Sequence, residues 1–313
     1  MSDYVWEGSK RYNDFSGYFK RKFNYRVQKI SIDAGFTCPN RDGSRGRGGC
    51  TYCNNQTFSP AYCHLEKSVT TQLREGIEFF SRKYNSMKYL AYFQSYSNTY
   101  APLEDLKLLY GEALNHPEVI GLVIATRPDC INAEILDYLQ LLSERYYIMV
   151  EFGIESHKNS SLDKINRGHY FEESAYAIKQ TAIRNIHNCA HMILGLPGES
   201  ETDFLEQAMV ISSLPVENLK LHQLQIHKNT HMYKQYMQAP EQFTMFTVEE
   251  YLDLVVRYLE LVNPAIVVER FVSEAPDELL VAPRWGLKNF EFTARLEKLL
   301  EARNTWQGRL YKP

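Results

Sequence analysis

The sequence predicts an α/β fold, a partial (β/α)6 barrel with N- and C-terminal extensions. Three observations carry that prediction. Short apolar runs alternate with segments of 3.6-residue periodicity from about residue 27 to residue 268. Pro, Gly and Asp cluster just after those runs, in SYSNTYAP, TRPD, LPGES and the stretch 35–60. A parallel βα barrel carries its function-bearing loops there, at its C-terminal mouth. Finally, 313 residues suit two domains or one α/β barrel, and 44% hydrophobic with 23% charged side chains is ordinary for a globular protein. That composition excludes a wholly disordered chain, a collagen and a coiled coil.

In chain order, strands are expected at residues 27–34, 89–94, 119–126, 147–154, 189–195, 219–226 and 266–268. Helices are expected at 69–84, 103–115, 133–145, 172–185, 201–214 and 248–262. Thr247 before Glu249 and Glu250 is an N-cap, and Pro117 and Pro264 follow helix ends. About six βα units fall short of the eight of a closed barrel, so the barrel is partial. Neither a low-complexity tract nor a repeat divides the chain. The divisions are a basic and aromatic extension at 1–26, a barrel core at 27–235, and an extension at 236–313 that completes and covers the barrel. No apolar run exceeds residues 119–125, whereas a spanning helix needs about 20. The opening MSDYVWEGSKRYNDF has no apolar h-region, so the cytoplasm is the expected address and a membrane is not an expected partner.

The net charge of −3 is unevenly placed. Residues 1–30 and 284–313 each hold seven Lys/Arg against three Asp/Glu, a balance of +4 at either end and −11 between. Such ends form either a patch for an anionic polymer or plain solvated surface. Basic and aromatic residues interleave from Trp6 to Lys29, among them Lys20, Arg21, Lys22 and Arg26. That mixture suits the phosphates and splayed bases of single-stranded RNA loops. It equally suits an amphipathic lid that packs Phe15, Phe19 and Phe23 onto the barrel, and both can hold on opposite faces.

Six cysteines in a reducing compartment are not a disulfide framework. Four of them, Cys38, Cys50, Cys53 and Cys63, fall within 26 residues, which points to a metal or a cluster. In Cys38-x11-Cys50-x2-Cys53, three thiolates can hold three irons of a four-iron cluster and leave the fourth open to a substrate. A zinc knuckle with Cys63 or His64 as fourth ligand satisfies the spacing as well.

The residues around the cysteines separate these two. The strand ISIDAGFTCPN leads into the loop, and Tyr52 stands immediately before Cys53. The stretch resembles the radical S-adenosylmethionine (radical SAM) enzymes, although a shorter first spacing is usual there. The long spacing looks like the YhcC/YtqA (MnmL-like) branch, related to the Elongator catalytic subunit. Similarity to that branch runs through KRYNDFSGYFKRKF, AYFQSYSNTYAPLE, ATRPDC, EFGIES, INRGH, HMILGLPGES, LKLHQLQIHKNTHM and APRWGLKN.

The resemblance implies a [4Fe-4S] cluster on Cys38, Cys50 and Cys53, with S-adenosyl-L-methionine (SAM) beside it and Tyr52 among the cofactor contacts. In FQSYSNTY, Gln94, Ser95 and Asn98 stand where the family holds the SAM amino group, without its common GGE wording. Glu151 and Glu155 flank Gly153 at alternating spacing, which points both carboxylates to one face; relatives place polar groups there against the ribose. Arg167, in INRGH, is the implied partner of the SAM carboxylate, since a guanidinium forks onto a carboxylate. The segment around Ile193 and Gly195 is implied to lie along the adenine.

The implied chemistry belongs to the cofactor, through a 5′-deoxyadenosyl radical that takes a hydrogen atom from the substrate. In this branch the implied substrate is tRNA, through its anticodon stem-loop. The implied step converts a 5-carboxymethylaminomethyl group on wobble uridine 34 to 5-aminomethyl. Lys20, Arg21, Lys22 and Arg26 would meet phosphates, and an electron donor such as flavodoxin or ferredoxin would reduce the cluster; DNA is not expected. A small-metabolite substrate, or a non-catalytic iron–sulfur or zinc module that binds RNA, are the competing function classes.

Other features are assigned less. The glycine-rich residues 43–49 lack the GK[ST] of a phosphate loop. His187, Cys189 and His191 alternate on a strand and read as barrel- or helix-facing residues, while His222, His227 and His231 show no metal spacing. Cys63, Cys130 and Cys189 read as buried small hydrophobes, Cys130 being the one to test as a hydrogen-atom donor.

Overall fold

A computed structural model describes residues 4–57, 59–82 and 87–313. Its strands are β1 (Arg26–Ile32), β2 (Met87–Phe93), β3 (Val119–Thr126), β4 (Tyr147–Glu155), β5 (His187–Leu194), β6 (Asn218–Gln223), β7 (Ile226–His227), β8 (Val267–Arg270) and β9 (Leu280–Ala282). Its helices are α1 (Phe15–Phe23), α2 (Pro39–Asp42), α3 (Val69–Ser81), α4 (Leu103–Leu114), α5 (Ala133–Ser143), α6 (Asn159–Lys164), α7 (Phe171–Ile183), α8 (Glu201–Ser212), α9 (His231–Gln238), α10 (Val248–Leu261) and α11 (Asn289–Ala302).

Seven strands form one all-parallel sheet in the order β1-β2-β3-β4-β5-β6-β8. The near-continuous apolar runs of β2 and β3 follow from burial on both faces, by helices outside and the barrel interior within. The helices start where the sequence supplies an oxygen for an orphan N–H. Ser68, Asn132, Ser200 and Thr247 each accept from the backbone three residues on, and Glu250 closes a reciprocal box with Thr247. Their apolar faces, including Leu73, Leu106, Ile178, Ile211 and Val255, pack on the sheet to make the main core.

The sheet is open between β1 and β8, and the two chain extensions cover that seam. Asp14 bridges Val268, whose N–H donates to Asn13 O at 2.8 Å. The buried Gln307 side chain accepts from Asn13 N (2.9 Å) and donates to Ile266 O (2.8 Å). Helix α1 closes the N-terminal end of the barrel. Phe15, Phe19 and Phe23 fall on one helical face, and Phe19 and Phe23 pack on Tyr147, the first residue of β4, at ring distances of 5.2 and 5.7 Å.

That packing turns Lys20, Arg21, Lys22 and Arg26 to the exposed side at the barrel bottom. A seven-residue strand spans about 23 Å, so the four basic residues expected at an RNA contact lie at the far end of the barrel from the cysteines. The lid on the barrel, the alternative for this segment, is what α1 forms.

Three departures concern elements. The helix expected to reach residue 84 is seen to Ser81, and residues 83 and 84 lie outside the described residues. The strand expected at 219–226 divides, because Gln223 and Gln225 both donate to Ser273 O at 3.1 Å. Beyond this point β7 leaves the main sheet and pairs antiparallel with β9. Helices α2, α6, α9 and α11 and strand β9 stand outside the elements expected from the sequence. No described helix is long and apolar enough to cross a membrane.

Candidate active site

A cleft of about 1170 Å³, including its open side, lies at the C-terminal ends of the strands. The loop after β1 forms one wall. Cys38 takes the extended N-cap position of α2, with Pro39 at the first helical turn, and Gly43 ends the helix in a left-handed conformation. The chain then doubles back: Arg45 N donates to Pro39 O and Gly49 N to Asn40 O, each at 2.9 Å. The loop of eleven intervening residues is thereby closed on itself, and Cys38, Cys50 and Cys53 line the same cleft.

The three sulfurs do not close around one point. Among the described residues, the group of three ligand atoms lying within 4.8 Å of one another is Glu151, Cys189 and His191. A tetrahedral zinc would draw its sulfurs to roughly 3.8 Å apart. Cys63, a candidate fourth ligand of a zinc knuckle, lies off the cleft beside Asp33 and Lys67. Burial, then the neighbouring Cys50 thiol, pushes Cys53 up to about 12. Burial also raises Cys38, against the pull of Ser97, 3.1 Å from its sulfur, and of Arg167. Cluster loading must therefore expel protons from these thiols.

Arg167 is buried behind the loop. Its guanidinium donates to Cys50 Sγ at 3.2 Å and to Gly153 O, and faces Glu155 at 3.5 Å. Glycine at 153 makes this possible, since a Cβ there would stand 2.5 Å from Arg167 Nη2. The Arg167 Nε is buried without an acceptor, an orphaned donor at the cysteine end of the cleft. Glu155 sits at φ +71°, a strained value for a residue with a side chain, where the β4–β5 register shifts. Its carboxylate accepts from Tyr52 OH at 3.0 Å, so Tyr52, Glu155 and Arg167 make one chain of contacts.

Glu151 has a different setting. Lys29 (2.6 Å), Lys220 (2.7 Å to each oxygen) and His191 (3.2 Å) engage its fully buried carboxylate. Although burial pushes its pKa up, Lys220 and Lys29 hold it well below the usual carboxylate range. Glu151, expected at a ribose, lines the cleft and is also the counter-ion of Lys29 and of the buried Lys220 inside the barrel.

Gln94 lines the cleft and accepts from Ser31 Oγ at 2.9 Å. Ser95 and Asn98 do not line it; both are buried, and Asn98 braces the loop through Ala125 O at 2.8 Å. Tyr96 and Ser97 face the cleft in their place, because Tyr96 at φ +63° breaks the alternation. Ile193 lines the cleft, whereas Gly195 at φ +103° packs behind it near Phe246 and Leu224. Sequence reasoning missed Arg127, tied to Asp129 at 2.8 Å, and Arg270, bonded to His222 at 2.7 Å. His191 and His222 also line the cleft; burial first, then Lys220 for one and Arg270 for the other, pushes both pKa values down, so both are neutral at pH 7.

Comparison with known proteins bears on this cleft. The model of the Radical SAM superfamily matches residues 40–208, and that of the Radical_SAM C-terminal domain matches residues 216–302. The chain is 34% identical to YtqA of Bacillus subtilis over 304 residues, 97% of this chain and 94% of that protein. It is 30% identical to YhcC of Escherichia coli over 305 residues, 97% of each. Among solved structures, the archaeal Methanocaldococcus infernus Elp3 with an N-terminal deletion superposes with a TM-score of 0.69 at 15% identity. That match covers 90% of this chain and 64% of the archaeal one, and at this identity the likeness is one of fold.

Proposed function

We propose that this chain, which belongs to the radical SAM superfamily, uses its cleft to modify tRNA, converting the 5-carboxymethylaminomethyl arm of wobble uridine 34 to 5-aminomethyl. Cys38, Cys50 and Cys53 hold the [4Fe-4S] cluster of the superfamily, and SAM occupies the cleft beside them. When bound, these groups supply a 5′-deoxyadenosyl radical that takes a hydrogen atom from the carbon between the arm's amine and carboxylate; loss of a second electron and addition of water break the C–N bond, leaving the 5-aminomethyl amine and releasing glyoxylate, and SAM takes up the two electrons as methionine and 5′-deoxyadenosine. The chain's own residues hold and shield them. Arg167, fixed by Gly153 and Glu155, keeps a positive charge against Cys50 and presents its guanidinium to the SAM carboxylate. Gln94 offers an amide to the polar end of SAM, and Ile193 an apolar face to its adenine.

The observation that carries the RNA part is at the rim. The Arg41 guanidinium lies 5.1 Å from the centre of the Tyr96 ring, and both line the cleft. A cation on an aromatic beside an opening is a platform on which a splayed base can stack. Arg47, exposed on the same loop, supplies a positive charge for the backbone. The branch resemblance supports the identity of the base. The test is anaerobic turnover of the loaded enzyme with SAM, reduced flavodoxin or ferredoxin, and tRNA from cells lacking the gene. Loss of 5-carboxymethylaminomethyluridine with gain of 5-aminomethyluridine supports the proposal. A nucleoside profile unchanged by the deletion, with no binding of tRNA by the enzyme, refutes it and favours a small metabolite.

A further inference from the structure

The cleft wall away from the cysteines carries a guanidinium without an anion. At that wall, Lys29 and Lys220 are bonded to Glu269 and to Glu151, which itself lines the cleft, at 2.6 to 3.0 Å, two positive charges against two negative. Arg270 adds a fifth charge. Among the described residues no carboxylate lies within 4.0 Å of it, and its hydrogen bond is from Nη2 to His222 Nε2 at 2.7 Å. Its Nε is buried with no acceptor. Accepting from Arg270 makes His222 a neutral imidazole with its proton on Nδ1, and burial keeps His191 neutral as well. The inner wall therefore carries a net charge of +1.

The other cleft arginines differ. Arg127 is paired with Asp129, and Arg167 stands against Glu155 and Cys50 at the cysteine end, where both bear on the Cys38 thiol; Arg41 is exposed at the rim against the Tyr96 ring. A charge taken from water without a counter-ion is unfavourable, and a receptor that binds an anion relieves it. We propose that Arg270, oriented by His222, receives a carboxylate carried by the substrate, apart from the cysteine end of the cleft. One surplus charge on a planar fork matches a single carboxylate. Only the identification of its carrier, an arm ending in a carboxylate on tRNA, rests on the function proposed above.

The test measures binding to the loaded enzyme of two anticodon stem-loop RNAs that differ only at the wobble uridine. One bears 5-carboxymethylaminomethyl, the other 5-methylaminomethyl, which keeps the amine and lacks the carboxylate. The parent should prefer the first by about ten- to a hundredfold, and Arg270→Gln should abolish the preference. An undiminished preference in Arg270→Gln overturns the assignment. Visible absorption of the cluster reports the fold of each variant. Should the glutamine variant not fold, Arg270→Lys decides: a weakened preference supports the fork and a parental one overturns it. If the parent binds neither RNA, the tRNA function falls and calorimetry with N-methylglycine against methylamine decides the assignment. Preference for N-methylglycine that disappears in Arg270→Gln sustains it, and no preference overturns it.

Discussion

Lys220→Met removes one charge from the middle of the barrel. The Lys220 side chain is 2% exposed and its ammonium lies 2.7 Å from both Glu151 oxygens and 3.0 Å from Glu269. Without it, two buried carboxylates share Lys29. Breaking a buried pair from one side costs about 3–5 kcal/mol, because the remaining charge stays desolvated. At about 2.1 cal/mol/K per residue, the unfolding entropy of a chain this long is roughly 660 cal/mol/K, so the midpoint should fall by about 5–8 °C. Scanning calorimetry of the loaded protein at pH 7 measures this. The sign of the pH dependence is fixed too. Burial raises the pKa values of Glu151 and Glu269, but Lys220 and Lys29 bring both below the ordinary carboxylate value. Their contribution is present above that value and is lost as pH falls through the lowered ones. The gap between parent and variant should thus be widest near neutrality and narrow in acid. Adding Glu151→Gln should restore part of the loss, a coupling of about 1–3 kcal/mol. A midpoint within about 1 °C of the parent at pH 7, or a gap that does not change with pH, would refute the reasoning.

Replacing Cys38, Cys50 or Cys53 with Ala should abolish the broad visible absorption and all SAM cleavage after anaerobic reconstitution; stoichiometric zinc without iron in anaerobically purified parent would contradict this. Arg167→Ala should retain the cluster but weaken SAM binding by about 1.5–3 kcal/mol, read by equilibrium dialysis, and unchanged affinity would remove Arg167 from the cofactor contacts. Phe19→Ala should destabilise the fold by about 3–5 kcal/mol in denaturant titration, whereas replacing Lys20, Arg21 and Lys22 together should leave the midpoint nearly unmoved. In tRNA binding, Arg41→Ala and Arg47→Ala should each flatten the salt slope by about 0.7, and the Lys20/Arg21/Lys22 variant should not; the opposite pattern would move the RNA to the barrel bottom.

Much of the fold could be read from local pattern. The run at 119–125 became β3 because strands of a parallel sheet are buried on both faces, and Thr247 became the cap its neighbours announce. The cysteine loop was legible because its ligand spacing is local. What escaped depends on distant partners or on backbone exceptions. Residues 219–226 carry the pattern of one strand, and only Ser273, about fifty residues on, shows why it breaks. Tyr96 and Ser97 displace Ser95 and Asn98 at the cleft because of one left-handed residue that no periodicity announces. Glu151 lines the cleft as its register announces, but its partners Lys29 and Lys220 stand on strands far away in sequence. Alternation along β5 and β6 puts His191 and His222 on one face without telling whether that face meets a helix or a cavity. Arg270 ends a four-residue strand and belongs to no motif.

The seam closed by Asn13 and Gln307 also sets an order of events. Its partners stand 294 residues apart, so closing it carries a loop-closure entropy about 2 kcal/mol above that of a contact spanning some 30 residues. Strand pairs joined by single helices meet first, and the seam forms late. It opens early for the same reason, since side-chain bonds and a bridge hold it where a strand ladder holds the rest. Native-state hydrogen exchange should therefore separate the amides of Asn13 and Val268 from those of β3 and β4, with the first pair exchanging through an opening far smaller than global unfolding. That seam runs alongside Glu269 and Arg270.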